Sequence, residues 1–253
     1  MWRIPLTRIR QKHRTARYPR CAPALPERFR GRPVIGDALP LDADVAAFTD
    51  CCPTHALSVD EQRLVQIDLG RCLFCGACEV AGGSRVVSFG RDHRLAAKVR
   101  GDLIVDKNMS EIASALDSRA QGLFGRSLKL RQVSAGGCNA CEADTNVLGT
   151  LVFDLGRFGI QFVASPRHAD GLLITGPVPL NMKLALEKTY DATPAPKIVI
   201  AVGACAISGG PYIDHEETCQ GASGILPVDL HIPGCPPHPY TILDGLLGFL
   251  GRL

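Results

Sequence analysis

The sequence lacks several patterns that would identify a protein class directly. No stretch holds eighteen consecutive apolar residues, so no transmembrane helix is expected. There is no charged-then-apolar leader with a small-residue cleavage site, so no Sec-type export signal is expected either. Neither G-x-x-x-x-G-K-[ST] nor G-x-G-x-x-G occurs, and the pair Gly136-Gly137 alone does not predict a nucleotide site.

Charge is spread unevenly along the chain. The net charge is +3, yet residues 1–32 hold ten Arg or Lys and a single acid, Glu27. The remaining residues contain 18 basic and 24 acidic side chains. Several prolines in the basic segment favour an extended arm packed along a partner, and its charge suits nucleic acid, lipid headgroups or an acidic protein. An Arg-rich mitochondrial presequence is the alternative.

Cysteine, by contrast, is abundant, with eleven residues in a chain of 253. Short spacings and Gly/Pro-rich surroundings favour metal ligation over disulfides. The first group lies in residues 33–85, where turn residues are frequent and periodicity is weak. We expect a small cluster-stabilised module there. A connecting stretch and a helix should follow, since Asn108 and Glu111 have capping-box spacing.

The first cysteine group has ferredoxin spacing. In bacterial ferredoxins the triplet C-x2-C-x2-C continues with x3-C-P, whose cysteine ligates the other cluster of the pair. Gly82 stands at that fourth position here, while a C-P ending occurs upstream at Cys52-Pro53. The ligands of one whole cluster are therefore kept, and those of the other are lost. The kept set is Cys52, Cys72, Cys75 and Cys78.

We predict that this set binds a [4Fe–4S] cluster within a small ferredoxin-like α+β module. A zinc site is the alternative, because C-x2-C pairs also bind zinc.

From residue 127 onward, apolar runs alternate with segments of helical composition. The runs predict strands at 128–133, 159–163, 171–175, 197–202 and 228–232, and the intervening segments predict helices from 142, at 181–190 and at 241–250. This order predicts an α/β fold with a flavodoxin-like, doubly wound parallel sheet covered on both faces. Such sheets bind ligands at the carboxyl ends of their strands.

A second cysteine group follows three of these strands. Cys138 and Cys141 come after the first strand, in a Gly-rich loop. Cys205 and Cys235 come after the last two strands. Four thiolates suffice for one cubane, and glycines let backbone N–H groups approach its sulfurs. We predict a second [4Fe–4S] cluster on these four residues.

Three cysteines are left over. Cys51 adjoins Cys52, but the proline that follows Cys52 favours the latter as a ligand. Cys219 lies between two predicted ligands and is an alternative to one of them. Cys21, in the basic arm, is expected to have no role.

Residues 127–253 resemble the small-subunit family shared by complex I, as its 20 kDa B-type subunit, and membrane-bound group 4 [NiFe] hydrogenases of the formate hydrogenlyase type. The motifs are specific and spread over about half of the chain. They are Gly137–Glu142, Ser165–Asp170, Ile174–Pro177, Gly203–Gly210 and Ile232–Pro237. Residues 19–85, with Phe29-Arg30-Gly31-Arg32-Pro33, resemble the ferredoxin-like subunit of the same complexes.

The chain therefore looks like a fusion of two neighbouring subunits. We expect a basic extended arm (1–32), a ferredoxin-like module (33–85), a linker and helix (86–126) and a small-subunit-like domain (127–253). Complex I subunits have adjacent cysteines in the first loop, so the spacing Cys138-x-x-Cys141 is hydrogenase-like.

The resemblance implies an iron–sulfur electron-transfer subunit of an oxidoreductase, with two [4Fe–4S] clusters and no substrate site of its own. Electrons would pass to or from the Ni–Fe site of a separate large subunit. Other iron–sulfur and membrane subunits are further expected partners, on the cytoplasmic, inner face of the cell membrane. The alternatives are a complex I-type NADH:quinone oxidoreductase connecting subunit and a zinc-binding nucleic-acid protein. The acidic body argues against nucleic acid.

Two further positions carry hypotheses. Glu142 follows Cys141 as in the family and is a candidate proton relay, or an acid favoured at a helix N-terminus. Asp144 adds a second acid nearby. Arg167 would raise the potential of a nearby cluster, or else would pair with Asp170 on the surface.

Overall fold

The computed structural model describes residues 3–107, 122, 124 and 127–253. The helix predicted from Asn108 lies outside the described residues. The strands are β1 (Pro33–Ile35), β2 (Leu57–Val59), β3 (Val65–Asp68), β4 (Val87–Phe89), β5 (Ile104–Val105), β6 (Leu128–Ser134), β7 (Ile160–Phe162), β8 (Gly171–Thr175), β9 (Ile198–Val202) and β10 (Leu230–Ile232). The described helices are α1 (Arg3–Gln11), α2 (Val45–Asp50), α3 (Ala77–Gly82), α4 (Ala140–Val147), α5 (Leu180–Ala192), α6 (Ala204–Ser208) and α7 (Pro239–Phe249).

Strands β6 to β10 form the parallel sheet that the sequence predicts. Their order is β10-β9-β8-β6-β7, and every neighbouring pair is parallel. Numbered from β6, this order is 2-1-3-4-5, which is the flavodoxin-like arrangement. The chain moves to opposite sides of β6 through β7 and β8, so the switch point lies at the carboxyl ends of β6 and β8.

The sheet is apolar on both faces because each face packs under different helices. Every residue of β8 and β9 is buried. Leu173 and Ile200 pack in the cluster that contains much of α7, whereas Leu172 and Val199 pack with Leu186 of α5. Alternate residues thus serve opposite faces, which explains why these strands appear in the sequence as continuous apolar runs.

The preceding part of the chain is a small α+β arrangement. Strands β1 and β4 pair antiparallel, and β2, β3 and β5 form a second antiparallel sheet. The predicted module boundary at residue 85 therefore differs from the observed pairing, since β4 and β5 complete these sheets from the predicted linker. Such pairings join residues far apart in the chain and leave no local periodicity.

The two parts share a core. Ile67 and Leu69 of the first part pack in one cluster with Ile207 of α6. At the same junction the hydroxyl of Ser208 donates a 2.9 Å hydrogen bond to the carbonyl of Gly70. The loop that carries Cys72 is therefore fixed against the helix that carries Cys205.

The N-terminal arm differs from the expected extended chain. Arg3–Gln11 is helical, and only the segment that follows lacks regular structure. This segment packs along the chain's own body. The N–H of Ala16 donates to the carbonyl of Val152 at 2.8 Å. Tyr18 is buried and its hydroxyl donates to the Asp244 carboxylate of α7.

Candidate metal centres

The four predicted ligands of the first group line a single cavity. Cys52 comes from the turn after α2, Cys72 and Cys75 from the loop after β3, and Cys78 from α3. Phe74 has a φ of 54° and Gly76 a φ of 82°, so the loop winds through two left-handed positions. Cys51 is partly buried but does not line this cavity, which favours Cys52 as the ligand.

Backbone N–H groups already point at two of these sulfurs. Ala56 donates to the Sγ of Cys52 at 3.2 Å, and Phe74 donates to the Sγ of Cys72 at 3.3 Å. Donors in these positions stabilise negative charge on sulfur and are the usual surroundings of thiolate ligands.

Two of these thiols, those of Cys72 and Cys78, resist ionisation. Burial raises the pKa of Cys72 to about 12, despite the opposing N–H of Phe74, and the other three cysteines add to the rise. Burial likewise raises the pKa of Cys78 to about 11. Four neighbouring thiols ionise together only if a cation shares the site, since a metal ion displaces the proton of a thiol that coordinates it. The donor set thus fits a metal centre.

The second group meets at the carboxyl edge of the parallel sheet. Cys138 lies in the loop after β6, Cys141 in α4, Cys205 in α6 and Cys235 in the loop after β10. Two hydrogen bonds join the last two loops: Gly203 N–H donates to Ile232 O, and Ala204 N–H to Gly234 O, both at 2.8 Å. Three separate strands therefore bring the four thiols together.

Gly203 shows how closely these loops approach each other. A Cβ at this position would lie 2.6 Å from the Sγ of Cys141 and 3.5 Å from the carbonyl of Gly234. Its φ of 90° and ψ of 155° also belong to a region that only glycine adopts readily. The absence of a side chain at residue 203 thus leaves the space that the sulfur of Cys141 occupies.

Burial also raises the pKa of Cys205 to about 12, with Cys235 and Cys138 adding to the effect. The pKa values of Cys141 and Cys235 are raised as well, first by burial and then by neighbouring thiols. One of the thiols that raises the pKa of Cys235 is Cys75 of the first group. The two groups are therefore adjacent.

A groove of about 310 Å³ runs beside Cys235. Phe74 lines it from the first cysteine loop, Pro236 from the second, and Arg30 from the N-terminal arm. Asp144 also lines it, and burial raises the pKa of this carboxyl.

Among the residues that the structure describes (3–107, 122, 124 and 127–253), no three His, Cys, Asp or Glu side chains are grouped closely enough to hold one metal ion.

Glu142 is buried at the topological switch point. Its Oε1 accepts from the hydroxyl of Ser134 at 2.7 Å and from that of Thr175 at 2.6 Å, the last residues of β6 and β8. Burial raises the pKa of this carboxyl, but the two hydroxyls and its own N–H outweigh burial, and the net pKa is lowered. Neither hydroxyl was predicted from the sequence, although each belongs to a polar residue that ends an apolar strand.

The structure also places the remaining candidates. Arg167 is exposed in a turn and, among the described residues, makes no ion pair with Asp170. The Asp170 carboxylate accepts from the N–H of Lys129 instead. Cys219 packs beside the apolar cluster of α5, and Cys21 is exposed on the arm.

The structure combines a parallel sheet that has thiols at its carboxyl edge with a second thiol group beside it, and each group is a candidate metal centre. The chain belongs to the family described as NADH ubiquinone oxidoreductase, 20 Kd subunit, whose model matches residues 138–249. The resemblance of residues 127–253 is thereby confirmed. The matched range leaves the first cysteine group outside, so the ferredoxin-like module stays a prediction.

Individual relatives come from two kinds of complex. The probable membrane-bound hydrogenase subunit mbhJ of Pyrococcus furiosus is 43% identical over 130 residues, which cover 51% of this chain and 78% of the relative. Formate hydrogenlyase subunit 7 of Escherichia coli is 40% identical, over 60% of this chain and 58% of its own length. An NADH-quinone oxidoreductase subunit of Clostridium beijerinckii is 44% identical, over 44% of this chain and 66% of its own length.

Among solved structures, a chain of the membrane-bound sulfane sulfur reductase, an archaeal respiratory membrane complex, is 35% identical with a TM-score of 0.44, covering 50% of this chain and 70% of its own. Among the described residues of the present chain, no helix has the length and apolarity needed to cross a membrane.

Proposed function

We propose that this chain is the electron-transfer subunit of a membrane-associated [NiFe] hydrogenase-type complex. The observation that supports this proposal is that the two four-cysteine groups are adjacent. Cys75 of the first group raises the pKa of Cys235 in the second, and Phe74 and Cys235 line the same groove. The first group would hold one [4Fe–4S] cluster on Cys52, Cys72, Cys75 and Cys78. The second would hold another on Cys138, Cys141, Cys205 and Cys235.

Each cluster, when bound, supplies a one-electron carrier. The chain's own residues supply the rest of the function. They hold the two sites in one packed body through Ser208 and Gly70, and they direct backbone N–H groups at the sulfurs of Cys52 and Cys72. Cys138 and Cys235 are exposed, so the second site lies at a surface where a large subunit with a Ni–Fe centre would dock.

The chain would lie on the inner face of the cell membrane together with other iron–sulfur and membrane subunits. A complex I-type connecting subunit is the second candidate, because an NADH-quinone oxidoreductase subunit is among the relatives. The spacing Cys138-x-x-Cys141 favours the hydrogenase type. In either case Glu142, held ionised by two hydroxyls, suits a fixed charge at the switch point better than a proton relay.

The test is metal content with low-temperature EPR on anaerobically reconstituted protein. We expect about eight irons per chain and two reducible S = 1/2 signals. Cys75→Ser should remove one signal and Cys141→Ser the other, whereas Cys21→Ser and Cys219→Ser serve as matched controls that keep both. About four irons insensitive to Cys75→Ser would limit the proposal to the second site, and zinc without iron would overturn it.

The purified complex separates the two candidates. Nickel in the large subunit and H2-dependent reduction of a viologen dye support the hydrogenase type. Absence of both, with NADH-dependent quinone reduction, supports the complex I type.

A further inference from the structure

Helix α1 is exposed along its whole length, although it contains large apolar side chains. None of its residues is buried. Ile4 is 80% exposed, Leu6 54% and Ile9 72%. Single exposed apolar residues are common on protein surfaces, but several on one short helix indicate an interaction surface.

The side chains of α1 are sorted around the helix axis. Leu6 and Ile9 are three positions apart and share one face. With 3.6 residues per turn, Arg10 and Arg3 lie roughly 70° and 90° from the centre of this face on one side, and Arg8 lies roughly 130° away on the other; Ile4 is on the opposite side of the helix. Long cationic side chains that flank an apolar face are typical of helices that lie in a membrane interface, where arginine heads reach the headgroups.

The surroundings of α1 continue the same charge. The first acid of the chain is Glu27, so no carboxylate within the arm compensates the arginines before it. Arg17, Arg20 and Arg157 line one basic cavity. Lys12 and His13 line a second one together with Arg8 and Ile9 of α1. The residues that line these two cavities include no carboxylate, and the exposed Asp154 is the acid next to Arg157, so the surface is predominantly basic and favours an anionic ligand.

The segment that follows α1 is anchored to the body. Arg157 donates hydrogen bonds to the carbonyls of Ala16 and Tyr18 at 2.7 and 3.1 Å. Arg157 precedes β7 and therefore lies at the amino edge of the parallel sheet. Leu151, 81% exposed, lies next to the anchoring Val152. The basic and apolar surface is thus at the opposite edge from the cysteine loops.

We propose that α1 is an interfacial helix that binds an anionic phospholipid surface directly. The helix inserts the Leu6 and Ile9 face at the headgroup level, and its arginines pair with lipid phosphates. A layer of lipid phosphates above acyl chains matches a helix that carries apolar and cationic groups side by side. The chain then contributes its own membrane contact, independently of its cysteine sites and of any partner subunit.

Sedimentation of the full-length chain with vesicles tests this proposal. We expect binding to vesicles that combine phosphatidylcholine with the anionic lipid phosphatidylglycerol, and weak binding to vesicles of pure phosphatidylcholine. The combined variant Arg3→Gln, Arg8→Gln and Arg10→Gln should lose on the order of a hundredfold in affinity, since each arginine near an anionic surface contributes about fivefold. Added salt should weaken wild-type binding.

The apolar face is tested separately with Leu6→Ser combined with Ile9→Ser, which leaves the charge of α1 unchanged. The matched control is Leu184→Ser, which changes a leucine that is 59% exposed on α5, away from the arm. We expect the double variant to lose vesicle binding and the control to keep it. Equal binding to both vesicle types, or wild-type binding in the arginine variant, overturns the proposal and leaves an acidic protein as the ligand of α1. Because the readout needs no metal, its failure is distinct from failure of the electron-transfer proposal.

Discussion

Replacing Gly203 by alanine should damage the second cysteine site and leave the first intact. The new Cβ would lie 2.6 Å from the Sγ of Cys141, a separation that real Cβ atoms essentially never show. The sulfur cannot move without leaving the site, and the backbone at residue 203 is held by its hydrogen bond to Ile232.

Two separate costs make up the expected effect, and the chain offers a control for each. Gly203 has φ 90° and ψ 155°, and Gly83 has nearly the same backbone, φ 81° and ψ 157°. A Cβ at Gly83 would meet nothing within 4 Å. Gly83→Ala should therefore lower the free energy of unfolding only through backbone strain, by about 1–3 kcal/mol. Gly203→Ala should lower it by the same strain and by about 1–3 kcal/mol more from overpacking.

Gly156→Ala is the third member of the set, because its Cβ also meets nothing and its φ is not in the left-handed region. It should change the free energy of unfolding by less than about 1 kcal/mol. Denaturant unfolding measures the three costs, and iron content after reconstitution measures the site. Gly203→Ala should lose about half of its iron while Gly83→Ala keeps all of it. Full iron content in Gly203→Ala, with a cost no larger than that of Gly83→Ala, would refute the reasoning.

Three further predictions concern the core. Tyr18→Phe removes the donor to the buried Asp244 and should lower the free energy of unfolding by about 1–3 kcal/mol, while the exposed control Tyr212→Phe should stay within about 0.5 kcal/mol. Burial raises the pKa of Asp244 in the folded state, so its charge destabilises the fold as pH rises above the unfolded value of about 4. Asp244→Asn should therefore raise the free energy of unfolding at pH 7 relative to wild type, and this gain should shrink as pH falls towards that value; a pH-independent difference would contradict the assignment. Leu186→Ala, at a fully buried position under the sheet, should cost about 2–5 kcal/mol in the same assay.

The two parts of the fold were predictable to different degrees. The strands of the parallel sheet were predicted within one or two residues at most ends, because strands buried on both faces need apolar residues at every position. Strands β4 and β5 were not predicted, since each is short and pairs with a partner far away along the chain. The helix α1 was not predicted because the prolines of residues 1–32 favoured an extended arm.

The sequence by itself determined which atoms are available for chemistry. Thiolate ligands are indicated by the spacing of Cys72, Cys75 and Cys78 and by the glycine-rich loops that follow apolar strands. Both signals are local, because they depend only on residues that are neighbours in the chain. Only the tertiary structure decided that Cys75 approaches Cys235, that Gly203 makes room for the sulfur of Cys141, and that Tyr18 joins the arm to Asp244. These contacts join residues separated by 62 to 226 positions. They follow from how the sheet, helices and arm pack together, which no local pattern of residues encodes.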